Sequence, residues 1–190
     1  AFQIHSYGFG DLYTHHEWIY GLKEGKIFSG GVYPEAMHCF IYCLDTLFGI
    51  RVYSSLMFLQ GIHVSVFLLA GYLLMREIFH WRYTPLLALT LFLTLDVVSA
   101  DLVYSMFRLQ ITLPLEFGLY TQFLCAFYLI RYLKSNHRVV RKEGLSRYCW
   151  DENLFLFFLS LTAAISIHYY AVIMAFILCG SFAVFLLTRL

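Results

Sequence analysis

Long apolar runs separated by short polar segments dominate the chain from residue 52 onwards. A helix needs about 20 mostly apolar residues to cross the hydrocarbon core of a bilayer. Residues 52–75 contain no Asp, Glu, Lys or Arg, and residues 153–188 carry no formal charge. The second run is too long for one typical helix, so we expect it to divide at its polar interruption, SIHYY. The pattern predicts about five membrane-spanning helices, at residues 52–76, 83–100, 113–133, 153–168 and 170–188.

Residues 1–51 are more polar, and we treat them as an external loop that precedes a transmembrane bundle at residues 52–190. Within this loop, residues 35–50 have a helical pattern, and Gly49 is typical of a helix end. A helix of that length is too short to cross a bilayer. We therefore expect it to lie along the membrane as a juxtamembrane helix, and we expect a second short interfacial helix at residues 100–112.

The composition supports an integral membrane protein of the all-α class, a polytopic transmembrane helical bundle. The chain is 61% hydrophobic and 13% charged, whereas soluble domains are about 45–50% apolar and about 25% charged. Its five cysteines do not suggest a disulfide framework. The chain begins at Ala1 without a signal peptide and ends directly after an apolar run, so we expect a fragment of a longer protein.

The distribution of Lys and Arg predicts the orientation in the membrane. Residues 131–152 hold six of the 13 basic residues, and the positive-inside rule places such a loop in the cytoplasm. Counting spans from this loop puts residues 1–51, residues 100–112 and the SIHYY segment outside. The count agrees with every basic loop only if residues 35–50 do not cross. The same basic segment needs no nucleic-acid partner as an explanation, since it acts as a topology determinant near anionic lipids.

Two residues of the external loop form the first candidate site. Asp11 and His15 are four residues apart, so on a helix they share one face. Such a pair could bind a divalent cation, or act as a base and the group that orients it. The alternative is that Asp11 caps a helix predicted at residues 12–24, with His15 and His16 as ordinary interfacial residues.

Three further polar residues lie on the predicted external side. Arg108 and Glu116 flank the start of a span, and they either form a structural ion pair or supply an Arg contact to a phosphate. His168 either packs between helices or contacts a lipid phosphate. An ionisable group inside or beside the membrane is costly, so each of these residues is a functional candidate.

His38 stands next to Cys39 and five residues from Cys43 within the juxtamembrane segment. A zinc site would need a second pair of ligands at a suitable spacing, and the sequence shows none. His38 is therefore retained as a candidate substrate contact and the cysteines are read as small apolar residues.

The segment GDLYTHHEWIYGLKEGKIFSGGVYPEAMH, residues 10–38, resembles the first external loop of the GT-C superfamily. These polytopic membrane glycosyltransferases use polyprenyl-phosphate-linked sugars. The shared features are an acid after a first transmembrane helix, a helix ending in Gly, a YP turn, a juxtamembrane helix ending near LFGI, and a span that closes on Arg. Here they correspond to Asp11, Gly25, Tyr33-Pro34, residues 47–50 and Arg76. The resemblance covers roughly residues 9–135 and is greatest to a bacterial branch of the family.

The resemblance implies an inverting glycosyltransferase on the outer face of a bacterial plasma membrane. Its donor would be a polyprenyl-phosphate-linked sugar, its acceptor a glycan or lipid of the cell envelope, and its surroundings membrane lipids. Asp11 corresponds to the catalytic base or metal contact, and Glu116 to a second acid. The expected cofactor is a divalent cation, Mg²⁺ or Mn²⁺. Candidate substrate contacts are His15, His16, His38, Arg108 and His168.

Two other functions remain compatible with the sequence. A transporter or flippase-type protein would use Asp96, His63 and His168 as a polar path within the membrane. A structural membrane subunit would have no site at all. The glycosyltransferase requires Asp11 near a polar external pocket, whereas the transporter requires Asp96 and His63 to face each other or a water-filled cavity.

Overall fold

A computed structural model describes residues 10–27, 31, 33–98, 109, 111–143 and 151–188, without the side chains of 95–98, 136–143 and 187–188. This part of the chain is helical and contains no strand, which confirms the all-α class. Its helices are α1 (Gly10–Lys23), α2 (Ala36–Phe48), α3 (Val52–Phe58), α4 (Gln60–Ile78), α5 (Thr84–Val98), α6 (Pro114–Glu143), α7 (Glu152–Ile167) and α8 (Tyr169–Thr188).

Helices α1, α2 and α3 pack together at one end of the molecule. Their shared core contains Leu12 and Ile19 from α1, Met37 and Ile41 from α2, and Leu56 from α3. These residues repeat at helical spacing, so each helix buries one apolar stripe against the others. The packing fixes α1 against α2, and this contact positions the side chains described below.

Helix α2 occupies most of the segment 35–50 that the sequence predicts as juxtamembrane. With 13 residues it is about 20 Å long, which is less than the hydrocarbon thickness of a bilayer. It ends at Gly49, which adopts a left-handed conformation with φ of 68°. The Gly49 and Ile50 amides donate to the carbonyls of Asp45 and Leu44, a helix-ending pattern that favours Gly.

The sequence predicts one helix at residues 52–76, but the structure has two, α3 and α4, with a break at Leu59. The backbone of Leu59 stays close to helical, with φ of −64° and ψ of −18°. The break therefore changes the hydrogen bonding locally. Apolar periodicity alone does not reveal it, because both helices continue the same hydrophobic run.

Helix α6 is the central element of the bundle and packs against α4, α7 and α8. It extends ten residues beyond the predicted span 113–133, into a basic continuation of which half the residues, Lys, Arg and Glu, are good helix formers. Gly118 allows a close approach: a Cβ atom at this position would lie 2.8 Å from Cγ2 of Ile167. Small side chains at this contact therefore allow α6 to meet the end of α7.

The apolar run 153–188 forms two helices that separate at His168, within the SIHYY segment. Asp151 begins α7 as an N-cap, and its carboxylate accepts a 2.8 Å hydrogen bond from the amide of Leu154. His168 has an extended backbone, with φ of −163° and ψ of 139°. The break brings the His168 side chain to the same end of the bundle as α1 and α2.

The opposite end of the bundle carries basic side chains. Lys134 in α6 lies 2.9 Å from a carboxylate oxygen of Glu77, near the end of α4. Helix α4 has 19 residues, so this pair lies about 25 Å from the helix start beside α3. Histidine and aromatic side chains therefore collect at one end of the bundle, and the Lys134–Glu77 ion pair lies at the other.

Within the described part of the chain, two helical segments are long and apolar enough to cross a membrane: Gln60–Ile78 and Tyr169–Leu186. Only 17% of the second segment is buried within the protein, and its outward side chains include Ile173, Phe176 and Ile177. A large apolar exterior of this kind indicates association with a membrane. Three shorter apolar helices accompany them: Ala36–Phe48, Thr84–Thr94 and Glu152–Ile167.

Candidate functional site

Five side chains from four parts of the chain meet at the end of the bundle formed by α1 and α2. We call them the histidine–aromatic cluster: His15 and Trp18 of α1, Tyr33 before α2, His38 of α2, and His168 between α7 and α8. His15 and Trp18 share a face of α1 because they are three residues apart. The packing of α1 on α2 then presents this face to His38.

The two buried histidines of the cluster form a direct hydrogen bond, with Nδ1 of His15 2.9 Å from Nε2 of His38. His38 is 0% exposed and His15 is 8% exposed. Nδ1 of His38 has no hydrogen-bond partner among the described residues. A buried N–H without an acceptor is costly, so we assign the His38 proton to Nε2, which donates to His15.

Burial keeps both histidines neutral at physiological pH. It lowers the pKa of His15 to about 4, a shift that Asp11 opposes and His168 reinforces. Burial also lowers the pKa of His38 to about 3, and the neighbouring His15 adds to the effect. At neutral pH the pair therefore supplies one fixed hydrogen bond and carries no positive charge.

Tyr33 joins the two sides of the cluster. Its ring centroid lies 5.3 Å from that of Trp18 and 6.1 Å from that of His38. The same centroid lies 5.6 Å from that of the His168 ring and 6.4 Å from that of the Tyr169 ring. Burial, with the nearby Glu116 and Tyr169, raises the pKa of Tyr33 to about 12, so its hydroxyl stays protonated and can donate a hydrogen bond.

His168 has a defined tautomer because the backbone N–H of Tyr170 donates to its Nδ1 at 3.1 Å. Nδ1 therefore carries no proton, and a neutral ring must carry its proton on Nε2. The sequence analysis left two roles open for His168, packing between helices or a contact to a lipid phosphate. The geometry gives it a neutral N–H donor at the edge of the cluster.

Glu116 lies in the first turn of α6 and is 1% exposed. It is close enough to Tyr33 to raise the pKa of that phenol. The predicted partner, Arg108, lies outside the described residues, as does Asp101, and the side chain of Asp96 is also not described. Glu116 is thus a buried acid at the cluster end of the bundle.

Asp11 and His16 stand at the margin of the cluster. Asp11 is exposed in the first turn of α1 and acts electrostatically on His15, whose pKa it raises against burial. It lies inside α1, one residue after the helix begins at Gly10, so it does not precede the helix as the capping interpretation required. His16 is half-buried, and its ring lies 4.8 Å from Tyr20.

Two cavities flank the first turn of α2. The first, which we call the apolar groove, has a volume of about 370 Å³ and runs between α2, α4, α6 and α7. Its wall includes Phe40, Ile62, Phe117 and Ala163. The second, which we call the tyrosine cavity, has a volume of about 460 Å³ and contains Tyr33 and Tyr169. Ala36 lines both, so the two cavities are neighbours.

Asp11 and His15 were also candidate ligands for a divalent cation. Within the described part of the chain, no group of three or more His, Cys, Asp or Glu side chains is arranged to hold a metal ion. Nδ1 of His15 is already engaged by His38. These residues alone therefore do not make up the coordination set that Mg²⁺ or Mn²⁺ requires, and no chemical step below depends on a metal.

Sequence reasoning missed three residues of this region. Trp18 lies in the segment that carries the family resemblance and Tyr169 in the SIHYY interruption, but neither was predicted as a site residue, and Glu35 was not singled out. Glu35 lines the tyrosine cavity, and one of its carboxylate oxygens is buried without a hydrogen-bond partner among the described residues. An acid directly after Pro34, within the segment that carries the family resemblance, was the available signal.

No protein-family model, curated protein or solved structure matches this chain at a significant level. Function is therefore inferred from the geometry of these residues.

Proposed function

We propose that this protein is a membrane glycosyltransferase that transfers a sugar from a polyprenyl-phosphate donor to an acceptor on the external face. One observation carries the proposal: the apolar groove and the tyrosine cavity adjoin at Ala36. An apolar groove beside a cavity whose wall contains two tyrosines, Glu35 and Ser166 suits a ligand with a hydrocarbon tail and a polar head.

The membrane arrangement in this proposal has five spans. They are α3 with α4, then α5, α6, α7 and α8, while α1 and α2 lie at the external surface. Charge supports the orientation, since the basic side chains of Lys134 and Arg76 lie at the end remote from the cluster. The groove then opens between helices at the depth of lipid tails, and the cluster lies near the headgroups.

The phosphate of the donor would be recognised by neutral hydrogen-bond donors. Nε2–H of His168 and the protonated hydroxyl of Tyr33 are the two groups at the cluster edge that can donate. Donors held in a water-poor site stabilise the charge that develops on a leaving phosphate. The His15–His38 hydrogen bond has a positioning role, because it fixes α1 against α2 beside Tyr33.

The transfer step would be a displacement at the anomeric carbon with inversion. The acceptor oxygen forms the new bond, the bond to the polyprenyl phosphate breaks, and the acceptor proton passes to a base. We assign the base to Asp11, whose exposed carboxylate is open to an incoming acceptor. Glu116 is the second acid in the proposal, and it acts on Tyr33 from within the protein.

A donor-consumption assay tests the proposal. The full chain is placed in proteoliposomes with envelope extract as acceptor, and undecaprenyl phosphate linked to labelled glucose, galactose or mannose is offered separately. The wild type is expected to release undecaprenyl phosphate from at least one donor. Asp11→Asn is expected to lower the rate by about 10²- to 10⁴-fold, the usual contribution of a general base.

The matched control is Glu17→Gln, which removes an exposed acid from the same helix and should leave the rate within about twofold of wild type. Failure of the wild type to consume any of the donors would contradict the proposed function. Equal rates for Asp11→Asn and wild type would reject the base assignment. Loss of function in Asp96→Asn with retention in Asp11→Asn would favour the transporter instead.

A further inference from the structure

The wall of the tyrosine cavity differs in chemistry from the histidine–aromatic cluster. It lies between the start of α2 and the junction of α7 with α8. The side chains that line it are Ile27, Tyr33, Pro34, Glu35, Ala36, Cys39, Ile165, Ser166 and Tyr169. Neither His15 nor His38 is among them. Its volume of about 460 Å³ falls in the usual range for small-molecule sites.

Glu35 is the unusual member of this wall. Its Oε2 atom is buried, and no described residue donates a hydrogen bond to it. Glu35 is the N-cap residue of α2, yet its side chain makes no capping hydrogen bond. A buried carboxylate oxygen without a donor is costly. Because Glu35 lines the cavity, a ligand whose hydroxyls pair with this carboxylate would offset part of that cost.

The other groups in the cavity narrow the class of ligand. No Lys or Arg lines it, and the Glu35 carboxylate repels anions, so the described wall does not suit a phosphate. It also lacks the set of acidic and histidine ligands that a cation needs. The aromatic faces of Tyr33 and Tyr169 present apolar surface with a negative quadrupole, which suits the C–H face of a sugar ring.

We propose that the tyrosine cavity is the subsite for the sugar ring of the lipid-linked donor, with Glu35 accepting hydrogen bonds from its hydroxyls. Tyr33 and Tyr169 pack against the ring. This inference rests on the proposed function, and it adds the residues that distinguish a sugar-bearing donor from the bare polyprenyl phosphate. Glu35 acts as a specificity-determining residue, because a carboxylate accepts two or more hydroxyl hydrogen bonds at once.

Binding of two kinds of probe, with and without a sugar, tests the inference. Undecaprenyl phosphate and undecaprenyl phosphate linked to glucose, galactose or mannose are titrated separately against the full chain in nanodiscs. The wild type is expected to bind at least one sugar-bearing probe more tightly than the bare phosphate, by about tenfold or more. Glu35→Gln is expected to remove most of this preference and to leave affinity for the bare phosphate within about twofold.

Tyr169 supplies a second, independent variant. Tyr169→Leu removes the ring and should lower affinity for the sugar-bearing probe alone, whereas Tyr169→Phe keeps the ring and should retain it. Glu17→Gln is again the control for loss of an acid outside the cavity. Gel filtration and thermal unfolding of each variant establish that it is folded before binding is compared.

The outcomes separate this inference from the proposed function. Wild-type protein that binds neither probe would contradict the proposed function itself. Wild-type protein that binds all probes equally, or Glu35→Gln and Tyr169→Leu proteins that keep the full preference, would overturn the sugar subsite while leaving polyprenyl-phosphate binding intact. Loss of the preference in both variants, with unchanged binding of the bare phosphate, would support it.

Discussion

Acidification from pH 7 to pH 5 is expected to destabilise the packing of α1 on α2. In the unfolded chain His15 and His38 titrate near the ordinary value of 6.5, whereas in the folded protein the pKa of His15 is about 4 and that of His38 about 3. Between these values the unfolded chain binds more protons than the folded one. The contribution of the neutral histidine pair to the free energy of unfolding is therefore fully present above about pH 6.5 and is lost as the pH falls.

The magnitude follows from these pKa values. Each histidine that is protonated only in the unfolded chain costs about 1.4 kcal/mol per pH unit below its unfolded pKa. From pH 7 to pH 5 this gives about 2 kcal/mol for each ring, or about 4 kcal/mol for the pair. The pKa of His15 already includes the electrostatic effects of Asp11 and His168.

The measurement is unfolding of the full chain in nanodiscs at several pH values, followed by tryptophan fluorescence. Trp18 is a local reporter because its ring lies 5.0 Å from that of His15. Replacing Trp81 and Trp150 by Phe leaves it as the single tryptophan. In the folded protein the pair stays neutral between pH 7 and pH 5, so a change in Trp18 emission within this range reports unfolding and not protonation of the pair.

Carboxylates also titrate in this range, so the decisive comparison is with His38→Gln. This variant keeps a hydrogen-bonding side chain but removes one titrating ring. Its loss of stability between pH 7 and pH 5 is expected to be about 2 kcal/mol smaller than that of wild type. Equal pH dependence in the two proteins would refute the conclusion that His38 is buried in its neutral form.

Two other substitutions test the fold. Gly118→Ala places a Cβ atom 2.8 Å from Ile167 and should destabilise the bundle by about 1–3 kcal/mol, measured by thermal unfolding in detergent. Gly180→Ala is the control, because nothing lies within 4 Å of the added atom, and equal effects of the two changes would contradict the close packing. Asp151→Ala removes the hydrogen bond to the Leu154 amide and should cost about 1 kcal/mol. Asp151→Asn should retain most of that stability, and a similar loss in both would argue against the cap.

Local patterns predict much of the helical framework. The segment 35–50 has the length and the Gly49 stop of a short helix, and α2 spans Ala36–Phe48. The polar SIHYY segment marks the place where α7 gives way to α8. These features depend on residues close in sequence, so composition and periodicity are sufficient to find them.

Two other features of the helices cannot be predicted from the hydrophobic runs. The break at Leu59 lies inside a continuous apolar segment. The end of α6 lies within a basic segment, which the sequence analysis treated as a loop because of its charge. Helix propensity favours a continued helix in this segment, whereas its charge suggested a loop, and the structure is helical.

The composition of the site was the hardest part to predict. His15 and His38 are 23 residues apart, and their hydrogen bond exists only because α1 packs on α2. His168 reaches the same cluster from a third part of the chain. Each histidine was a candidate by residue type, but which of them meet is determined by tertiary packing. Glu35 became a candidate only when its buried oxygen and the surrounding cavity were visible.

The central claim is that one amphiphilic ligand occupies both the apolar groove and the tyrosine cavity. The most direct measurement is photoaffinity labelling of the full chain in nanodiscs with an undecaprenyl phosphate that carries a diazirine in its tail. Peptide mass spectrometry then locates the label, with and without an excess of unmodified undecaprenyl phosphate.

The account predicts competable labelling of residues that line the groove, among them Phe40, Ile62 and Phe117. Ala163→Trp, which fills the groove, should reduce this labelling several-fold. Label spread over the outward apolar faces of α5 and α8, unaffected by competitor and by Ala163→Trp, would contradict the claim.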